Sequence, residues 1–295
     1  MSLFRRNRTT EPPPAGALRL APSTLALLRC PTCRTDLIRV DDGVAADMVC
    51  EQQHRWPIIS GVPVFSDAGH DVEVRPLEHE SHQPSAALLA HLEGATKPWL
   101  HLGAGASAVA IPNSIELETA IFKRTDVVGD VHHLPFADGS LGGVLALNVF
   151  EHLSNPDRAA AELRRCLAPG AKVVIHTAFL QPLHADPYHF YNATETGIRR
   201  WFEAFDIDSV SVPGNFNPGY AFSWMSSELL WGASENPALA NATVAQLAGF
   251  WRDPSTREGP VWDAFLQLPD QWQRVLAAGF EIIATRPSSA EGATS

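Results

Sequence analysis

Residues 99–118 read WLHLGAGASAVAIPNSIELE: a short apolar segment, a Gly-Ala-Gly turn, and a second segment that ends in acids. This order is typical of a buried strand that leads into a nucleotide-binding turn. The third glycine and the long helix that a dinucleotide site needs are missing, since Ser107 and Pro112 occupy this part of the chain. Without a Lys-Ser or Lys-Thr pair, the turn is not a triphosphate loop either. A cofactor without phosphate needs none of these features, so the stretch favours a nucleoside that carries an amino acid.

Short apolar segments and helices alternate from Trp99 to the end of the chain. Asn155-Pro156, a capping residue followed by proline, predicts the start of one helix, and Thr194 predicts the start of another. Strands that alternate with helices indicate a doubly wound sheet, in which ligands bind at the carboxyl ends of the strands. We therefore predict an α/β fold for residues 99–295, with a mostly parallel, seven-stranded, Rossmann-like sheet.

A small metal-binding domain, the metal knuckle, is predicted at residues 28–66. It contains Cys30-x2-Cys33 and, after sixteen further residues, Cys50-x3-His54. This spacing is typical of a structural site, in which thiolates and an imidazole favour Zn²⁺. The alternative is two buried cysteines with an incidental third. Four protein ligands leave no open position for a substrate, so the predicted zinc is structural.

The remaining segments and the composition limit location and partners. We expect a disordered lead-in at residues 1–27 and a linker that ends in a helix at 67–98. No apolar run resembles a membrane span or a secretory signal, so we expect a cytoplasmic protein without a membrane partner. The net charge of −11 argues against a broad nucleic-acid surface. A homo-oligomer remains possible on sequence grounds.

The run DVVGDVHHLPF at residues 126–136 and NVFEH at residues 148–152 carry a family resemblance. Together with the glycine turn, they make residues 99–213 resemble a class I S-adenosylmethionine-dependent methyltransferase of the type-11 family. The resemblance implies an enzyme that uses S-adenosylmethionine. The chain departs from the family in its short first crossover, in Ser107 at the third glycine, and in His101, which stands where an acid is usual.

The metal knuckle carries a second resemblance. Its Cys30-Pro-x-Cys33, its Cys50 and the trailing RWPIISGVPVF resemble the zinc-ribbon domain of the tRNA-methyltransferase activator family. The usual fourth cysteine is absent, and His54 takes its place.

The methyltransferase resemblance also implies the cofactor contacts. The two glycines would contact the methionine part, Glu116 or else Glu118 the ribose hydroxyls, and Asp130 and Val131 the adenine. Asn148 would border the methyl group. The predicted cofactor-binding residues are His101, Gly103, Gly105, Glu116, Glu118, Asp130, Val131 and Asn148.

Two polar stretches after strands are candidates for the chemistry. Residues 148–152 resemble the Glu-x-x-Glu-His motif that ligates a divalent cation in some O-methyltransferases, although Asn148 replaces the first glutamate. Residues 179–202 form a polar loop rich in histidine. Imidazoles and a carboxylate there suit a general base or a metal site, and a purely structural role is the alternative. The predicted catalytic residues are His184, His189 and His152. The predicted ligands of a possible second metal, such as Mg²⁺, are Glu151, His152 and Asp186.

The best-supported function is O-methylation of a small polar acceptor, such as a sugar or natural product; a glycan is one possible acceptor. Two alternatives stay open. One is an RNA-base methyltransferase, which the metal knuckle suggests. The other is a non-catalytic module that binds a cofactor or a partner.

Overall fold

The computed structural model describes residues 18–75, 83–91, 93–185, 188–232, 236, 238, 263, 266–267, 269–275 and 277–288. The chain divides into two units, Met1–Gly142 and Gly143–Ser295. Within the described residues, no helix is both long and apolar enough to cross a membrane.

Seven strands of the first unit hydrogen-bond in the order β1-β2-β3-β4-β7-β6-β5 among its described residues. The pairs β1-β2, β2-β3 and β3-β4 are antiparallel. The pairs β4-β7, β7-β6 and β6-β5 are parallel. The strands are β1 (Leu37–Asp41), β2 (Ala46–Cys50), β3 (Arg55–Ile59), β4 (Val62–Phe65), β5 (Trp99–Leu102), β6 (Ser114–Glu118) and β7 (Val127–Gly129).

The last strand of the metal knuckle continues the parallel sheet. Val64 of β4 lies opposite Val128 of β7, and Phe65 lies opposite Gly129. The apolar side chains at this junction pack into one buried cluster, which consists of Val62, Val64, Val72, Ile121 and Val128. The sequence assigns residues 28–66 and 99–295 to separate domains, and in the structure one sheet runs across that boundary.

The crossover between β5 and β6 contains no helix, as the sequence predicts for this short connection. The sheet beside it carries buried polar side chains, including His101, Glu116 and Glu118. His101 pairs with Glu116 in the parallel register, so both side chains lie on the same face of the sheet. Buried polar groups therefore share one face of this sheet.

The segments before and after the metal knuckle also have defined structure. Helix α1 (Pro22–Leu25) lies within the segment that the sequence assigns to a lead-in. The Arg19 backbone N–H donates to the Gly61 carbonyl at 2.8 Å, which ties this segment to the knuckle. Helix α2 (Ala86–Ala90) begins where the Ser85 hydroxyl accepts the Leu88 N–H, in the predicted linker.

Four strands of the second unit are hydrogen-bonded neighbours in the order β8-β9-β11-β10 among its described residues. They are β8 (Leu141–Leu147), β9 (Leu167–Ala178), β10 (Asp206–Ser211) and β11 (Gly279–Thr285). β11 runs antiparallel to both of its neighbours. Seven described strands thus follow the metal knuckle, and the core strands are mostly parallel, which confirms the predicted fold class.

Two helices of the second unit begin at the predicted caps. The Asn155 side chain accepts the Arg158 N–H at 3.0 Å at the start of α3, and the Thr194 hydroxyl accepts the Gly197 N–H at 3.1 Å at the start of α4. These bonds satisfy backbone donors that a helix leaves free at its first turn. The helices are α3 (Pro156–Cys166), α4 (Glu195–Trp201), α5 (Pro218–Gly232) and α6 (Asp270–Val275).

Candidate functional site

The glycine turn after β5 is held against the end of β6. Gly103 and Gly105 have φ angles of 65° and 61°, in the left-handed region that favours glycine. The Gly103 N–H donates to the Leu117 carbonyl at 2.9 Å, and the Gly105 N–H donates to the Glu118 carboxylate. Because neither glycine has a side chain, a ligand can approach this backbone closely.

The two buried acids of β6 have different partners. Glu118, the last residue of the strand, accepts hydrogen bonds from the N–H groups of Gly105 and Thr119. Burial raises the pKa of Glu118, although these two bonds favour its charged form. Glu116 instead accepts the Ser107 hydroxyl at 2.7 Å. Glu118 is therefore the acid that contacts the turn, while Ser107 holds Glu116 within the sheet.

His101 is buried beneath this turn. Its side chain is 4% exposed, and burial lowers its pKa to about 4, so the imidazole is neutral at physiological pH. Within the part of the chain that the structure describes, its Nδ1 has no hydrogen-bond partner. His101 therefore cannot supply the charge of the acid that is usual at this position.

Asp130 follows β7 and caps a short 3-10 helix, Val131–His133. Its carboxylate accepts the His132 N–H at 2.9 Å and lies 2.6 Å from His132 Nδ1. Burial acts to raise the pKa of Asp130, but the hydrogen bonds from His132 and His133 hold it below its ordinary value. Asp130 therefore carries a negative charge, and Val131 beside it is buried.

In the second unit, the end of β8 presents residues 148–152. Asn148 has a φ of 58°, and its N–H donates to the His176 carbonyl at 3.0 Å. The chain then enters a short 3-10 helix, Phe150–His152, which turns Glu151 inward. His176 is itself buried and lies 2.9 Å from the Glu281 carboxylate, so it belongs to the sheet rather than to the imidazole cluster described below.

Glu151 is fully buried. One carboxylate oxygen accepts the Thr177 hydroxyl at 3.0 Å, and Oε1 has no hydrogen-bond partner among the described residues. Burial raises the pKa of Glu151 to about 7. Its backbone carbonyl accepts the N–H groups of Phe190 and Tyr191 at 2.8 and 3.1 Å, which fastens the histidine-rich loop to this residue.

The structure brings the three predicted catalytic histidines together. The ring of His184 lies 4.2 Å from that of His189 and 5.1 Å from that of His152. Burial lowers the pKa of His152 and His184, which favours neutral rings that can accept a proton or ligate a metal. These three residues form the imidazole cluster.

Two members of the imidazole cluster, together with Glu151, form a set of groups that could hold a metal. Glu151, His152 and His184 each offer a ligand atom, and these atoms lie within 4.8 Å of one another. Of the predicted ligands, Glu151 and His152 are present in this set, and His184 is the third member. Asp186 lies outside the described residues.

One aromatic side chain, that of Trp224, borders the imidazole cluster. Trp224 of α5 lies 5.0 Å from the ring of His184, and its indole N–H donates to Glu228. Tyr188 is 65% exposed and Phe190 is 47% exposed. The aromatic content of residues 214–231 is evident in the sequence, but the contact of Trp224 with a histidine forty positions earlier has no sequence signal.

The predicted zinc ligands of the metal knuckle lie together in the first unit. One ligand atom from each of Cys30, Cys33, Cys50 and His54 lies within 4.8 Å of the others. The Cys50 Sγ and His54 Nδ1 are 3.3 Å apart, and the Sγ atoms of Cys33 and Cys50 are 3.5 Å apart. Tetrahedral Zn²⁺ places its ligand atoms roughly 3.5–3.8 Å apart, and the separations in this set are close to that range. The Thr35 hydroxyl, 3.0 Å from Cys33, helps to lower the pKa of that thiol to about 6.

Residues 95–175 match the family model for a methyltransferase domain of the type-11 class. The chain contains a methyltransferase domain. The matched segment of this domain runs from β5 into β9, and so includes the glycine turn, both acids of β6, Asp130, and residues 148–152.

A curated relative of the chain is an uncharacterized 37.1 kDa protein in a transposon, TN4556, of Streptomyces fradiae. It is 34% identical over 74 residues, which are 23% of this chain and 21% of the relative. The chain therefore matches about a fifth of the length of this curated relative.

Several solved structures show a distant similarity. The [4+2]-cyclase SpnF is 15% identical with a TM-score of 0.43, over 74% of this chain and 88% of its own. Phosphoethanolamine N-methyltransferase 2 of Haemonchus contortus, in complex with S-adenosyl-L-methionine, is 14% identical with a TM-score of 0.40, over 85% of this chain and 71% of its own.

Proposed function

We propose that the chain is an S-adenosylmethionine-dependent enzyme that methylates a hydroxyl oxygen of a small acceptor. The observation that carries this proposal is the imidazole cluster beside the buried Glu151, in a chain that contains a methyltransferase domain. Neutral imidazoles are the groups that a hydroxyl acceptor needs for removal of its proton.

The first unit offers groups that fit the cofactor. The side-chain-free turn at Gly103 and Gly105 suits the methionine part, and no phosphate has to be neutralised. Of the two acids of β6, Glu118 is the better candidate for the ribose hydroxyls, because it lies against the turn while Ser107 engages Glu116. The charged Asp130 suits the exocyclic amine of adenine. When bound, S-adenosylmethionine supplies a methyl group on a positively charged sulfur.

The second unit offers groups for the acceptor. A ring of the imidazole cluster, at His152, His184 or His189, would take the proton from the acceptor hydroxyl during methyl transfer, in which the methyl–sulfur bond breaks and a neutral thioether leaves. Glu151, His152 and His184 are also suited to hold a divalent cation, which would lower the pKa of the hydroxyl. Two imidazoles and one carboxylate suit Mn²⁺ or another transition metal better than Mg²⁺, which prefers oxygen ligands.

The surroundings of the imidazole cluster favour an acceptor with an apolar or aromatic part. The ring of Trp224 borders the cluster, and aromatic rings of this kind are common in small-molecule sites. A natural product that carries a ring hydroxyl is therefore favoured over a sugar or other glycan. An RNA base is a weaker candidate, because the net charge is −11 and nucleic-acid binding depends on neutralising phosphates.

We further propose that Cys30, Cys33, Cys50 and His54 hold one structural Zn²⁺. The support is the tetrahedral spacing of their ligand atoms and the lowered pKa of Cys33, which favours the thiolate form that binds metals.

Calorimetry with S-adenosylmethionine and S-adenosylhomocysteine tests the proposal first. We expect both to bind the zinc-loaded protein. If neither ligand gives binding heat, the proposed activity is excluded. Transfer of labelled methyl groups to a panel of phenols, sugars and RNA then identifies the acceptor class. His184→Ala should lower kcat for the active acceptor by about a hundredfold or more. His70→Ala, at an exposed histidine of the first unit, is the matched control and should leave kcat unchanged.

A further inference from the structure

The segment that carries Asp130 and Val131 is attached to the metal knuckle at both of its ends. On one side, β7 precedes Asp130 and pairs with β4 of the knuckle, with Phe65 opposite Gly129. Asp130–His133 then forms a short connection, which we name the cofactor loop. The residue immediately before the cofactor loop is therefore part of a sheet that the knuckle extends.

On the other side, residues 134–137 run along the beginning of the metal knuckle. The Arg29 N–H donates to the Pro135 carbonyl, and the Ala137 N–H donates to the Leu27 carbonyl, both at 2.9 Å. Leu28 forms an isolated bridge with Phe136, and both side chains are fully buried. The cofactor loop is thus enclosed between two attachments to the same knuckle.

Arg34 connects the metal ligands to the end of the cofactor loop. Its guanidinium Nη1 donates to the Leu134 carbonyl at 3.2 Å, directly after the cofactor loop. Its backbone follows the ligand Cys33, and its N–H donates to the Cys30 carbonyl at 2.8 Å. The φ of Arg34 is 66°, a left-handed conformation that non-glycine residues adopt only when their surroundings impose it. The turn that carries Cys30 and Cys33 is therefore closed by the same residue whose guanidinium binds the Leu134 carbonyl.

We infer that Arg34 is a positioning residue for the cofactor loop, so that the metal knuckle supports cofactor affinity as well as its own fold. The inference rests on the proposed function, because it takes Asp130 and Val131 as cofactor contacts. Arg34 acts by holding the Leu134 carbonyl, and it does not contact the cofactor itself.

The test measures S-adenosylhomocysteine affinity by calorimetry in variants confirmed to contain one zinc per chain. Arg34→Gly removes the guanidinium while keeping a residue that tolerates the left-handed backbone. Loss of one hydrogen bond should weaken affinity by about three- to tenfold. Arg34→Lys keeps a donor of similar reach and should recover part of this loss, which a general loss of folding would not explain.

Gln53→Gly is the matched control. Gln53 lies in the other turn of the knuckle, between Cys50 and His54, is exposed, and has a φ of 64°. The same backbone change there should leave S-adenosylhomocysteine affinity unaltered. Equal affinities of Arg34→Gly, Gln53→Gly and the unmodified protein would overturn the inference. Failure of the unmodified protein to bind would instead overturn the proposed function.

Discussion

At the scale of the residue, Glu116 and Glu118 show how neighbouring acids of one strand acquire different roles. Both are buried, and both lie on the face of the sheet beside the short crossover. Ser107, at the position of a missing glycine, binds Glu116, whereas the glycine turn binds Glu118. The departure at Ser107 therefore has a structural consequence, since it engages one acid and leaves the other against the turn.

Glu118→Gln should weaken binding of S-adenosylhomocysteine by roughly tenfold or more, because the ribose hydroxyls lose a charged acceptor. Glu116→Gln should instead lower the free energy of unfolding and change affinity less. Calorimetry and urea titration separate the two effects, with the exposed Glu73→Gln as control. A larger loss of affinity in Glu116→Gln than in Glu118→Gln would move the ribose contact to Glu116.

Glu151 should make stability depend on pH. Its folded-state pKa is raised from 4.5 to about 7. Between these two pH values, the folded protein therefore holds a proton that the unfolded chain has released. The free energy of unfolding should therefore fall as pH rises through this window, by on the order of 1 kcal/mol per pH unit, and level off above pH 7.

The measurement is the free energy of unfolding in urea at several pH values, compared with Glu151→Gln. The glutamine variant lacks this titration, so the difference between the two proteins should change with pH only in this window. Parallel curves from pH 4.5 to 7 would show that Glu151 has an ordinary pKa.

At the scale of the element, the pairing of β9 with β11 supports the imidazole cluster. Gly279 begins β11 opposite Ala178, next to Thr177, whose hydroxyl donates to Glu151. A Cβ atom at Gly279 would overlap the Thr177 carbonyl oxygen and the ring of Phe216. The close approach of these strands therefore requires glycine at this position.

Gly279→Ala should lower the free energy of unfolding by about 1–3 kcal/mol, because the Thr177 backbone has to shift. Gly197→Ala in α4 is the control: its Cβ would lie 3.5 Å from the Thr194 hydroxyl, an ordinary contact. That variant should be as stable as the unmodified protein, or more stable by up to about 1 kcal/mol. Chemical denaturation measures both, and equal stabilities would contradict the predicted overlap.

At the scale of the whole molecule, the metal knuckle is integrated with the parallel strands of the first unit. The strand β4 and the residues 27–34 both hydrogen-bond to the segment around Asp130. A change at the proposed zinc ligands should therefore affect the structure of the segment around Asp130 as well as that of the knuckle.

Cys50→Ser should abolish zinc binding and lower the melting temperature, since a structural zinc contributes directly to folding. Metal analysis and thermal denaturation measure the two effects. Cys166→Ala, at the buried cysteine of α3, should reduce stability and retain one zinc per chain. Full zinc content in Cys50→Ser would remove Cys50 from the ligand set.

Features encoded within short segments were predictable. The helix caps Asn155 and Thr194 act on residues three positions away, and the four candidate zinc ligands lie within a stretch of 25 residues. The glycine turn was also recognisable, because its conformation depends on residues that have no side chain. The three histidines were predictable as candidates, although their mutual distances were not.

Contacts between distant segments were not predictable. Trp224 against His184, Arg34 on Leu134 and β4 beside β7 join positions far apart in the chain. No spacing rule connects such pairs, because their approach depends on how the strands align when their apolar side chains are buried.

The sequence by itself determined the classes of chemistry in this protein: a turn for a cofactor without phosphate, a candidate zinc site, and imidazoles in a polar loop. Residue type and close spacing suffice for these, because the covalent chain already limits how far such groups can separate. Only the tertiary structure decided that Glu118 contacts the turn, that Glu151 is buried beside the imidazoles, and that the metal knuckle encloses the cofactor loop. These follow from strand register and burial, which depend on the packing of the whole unit.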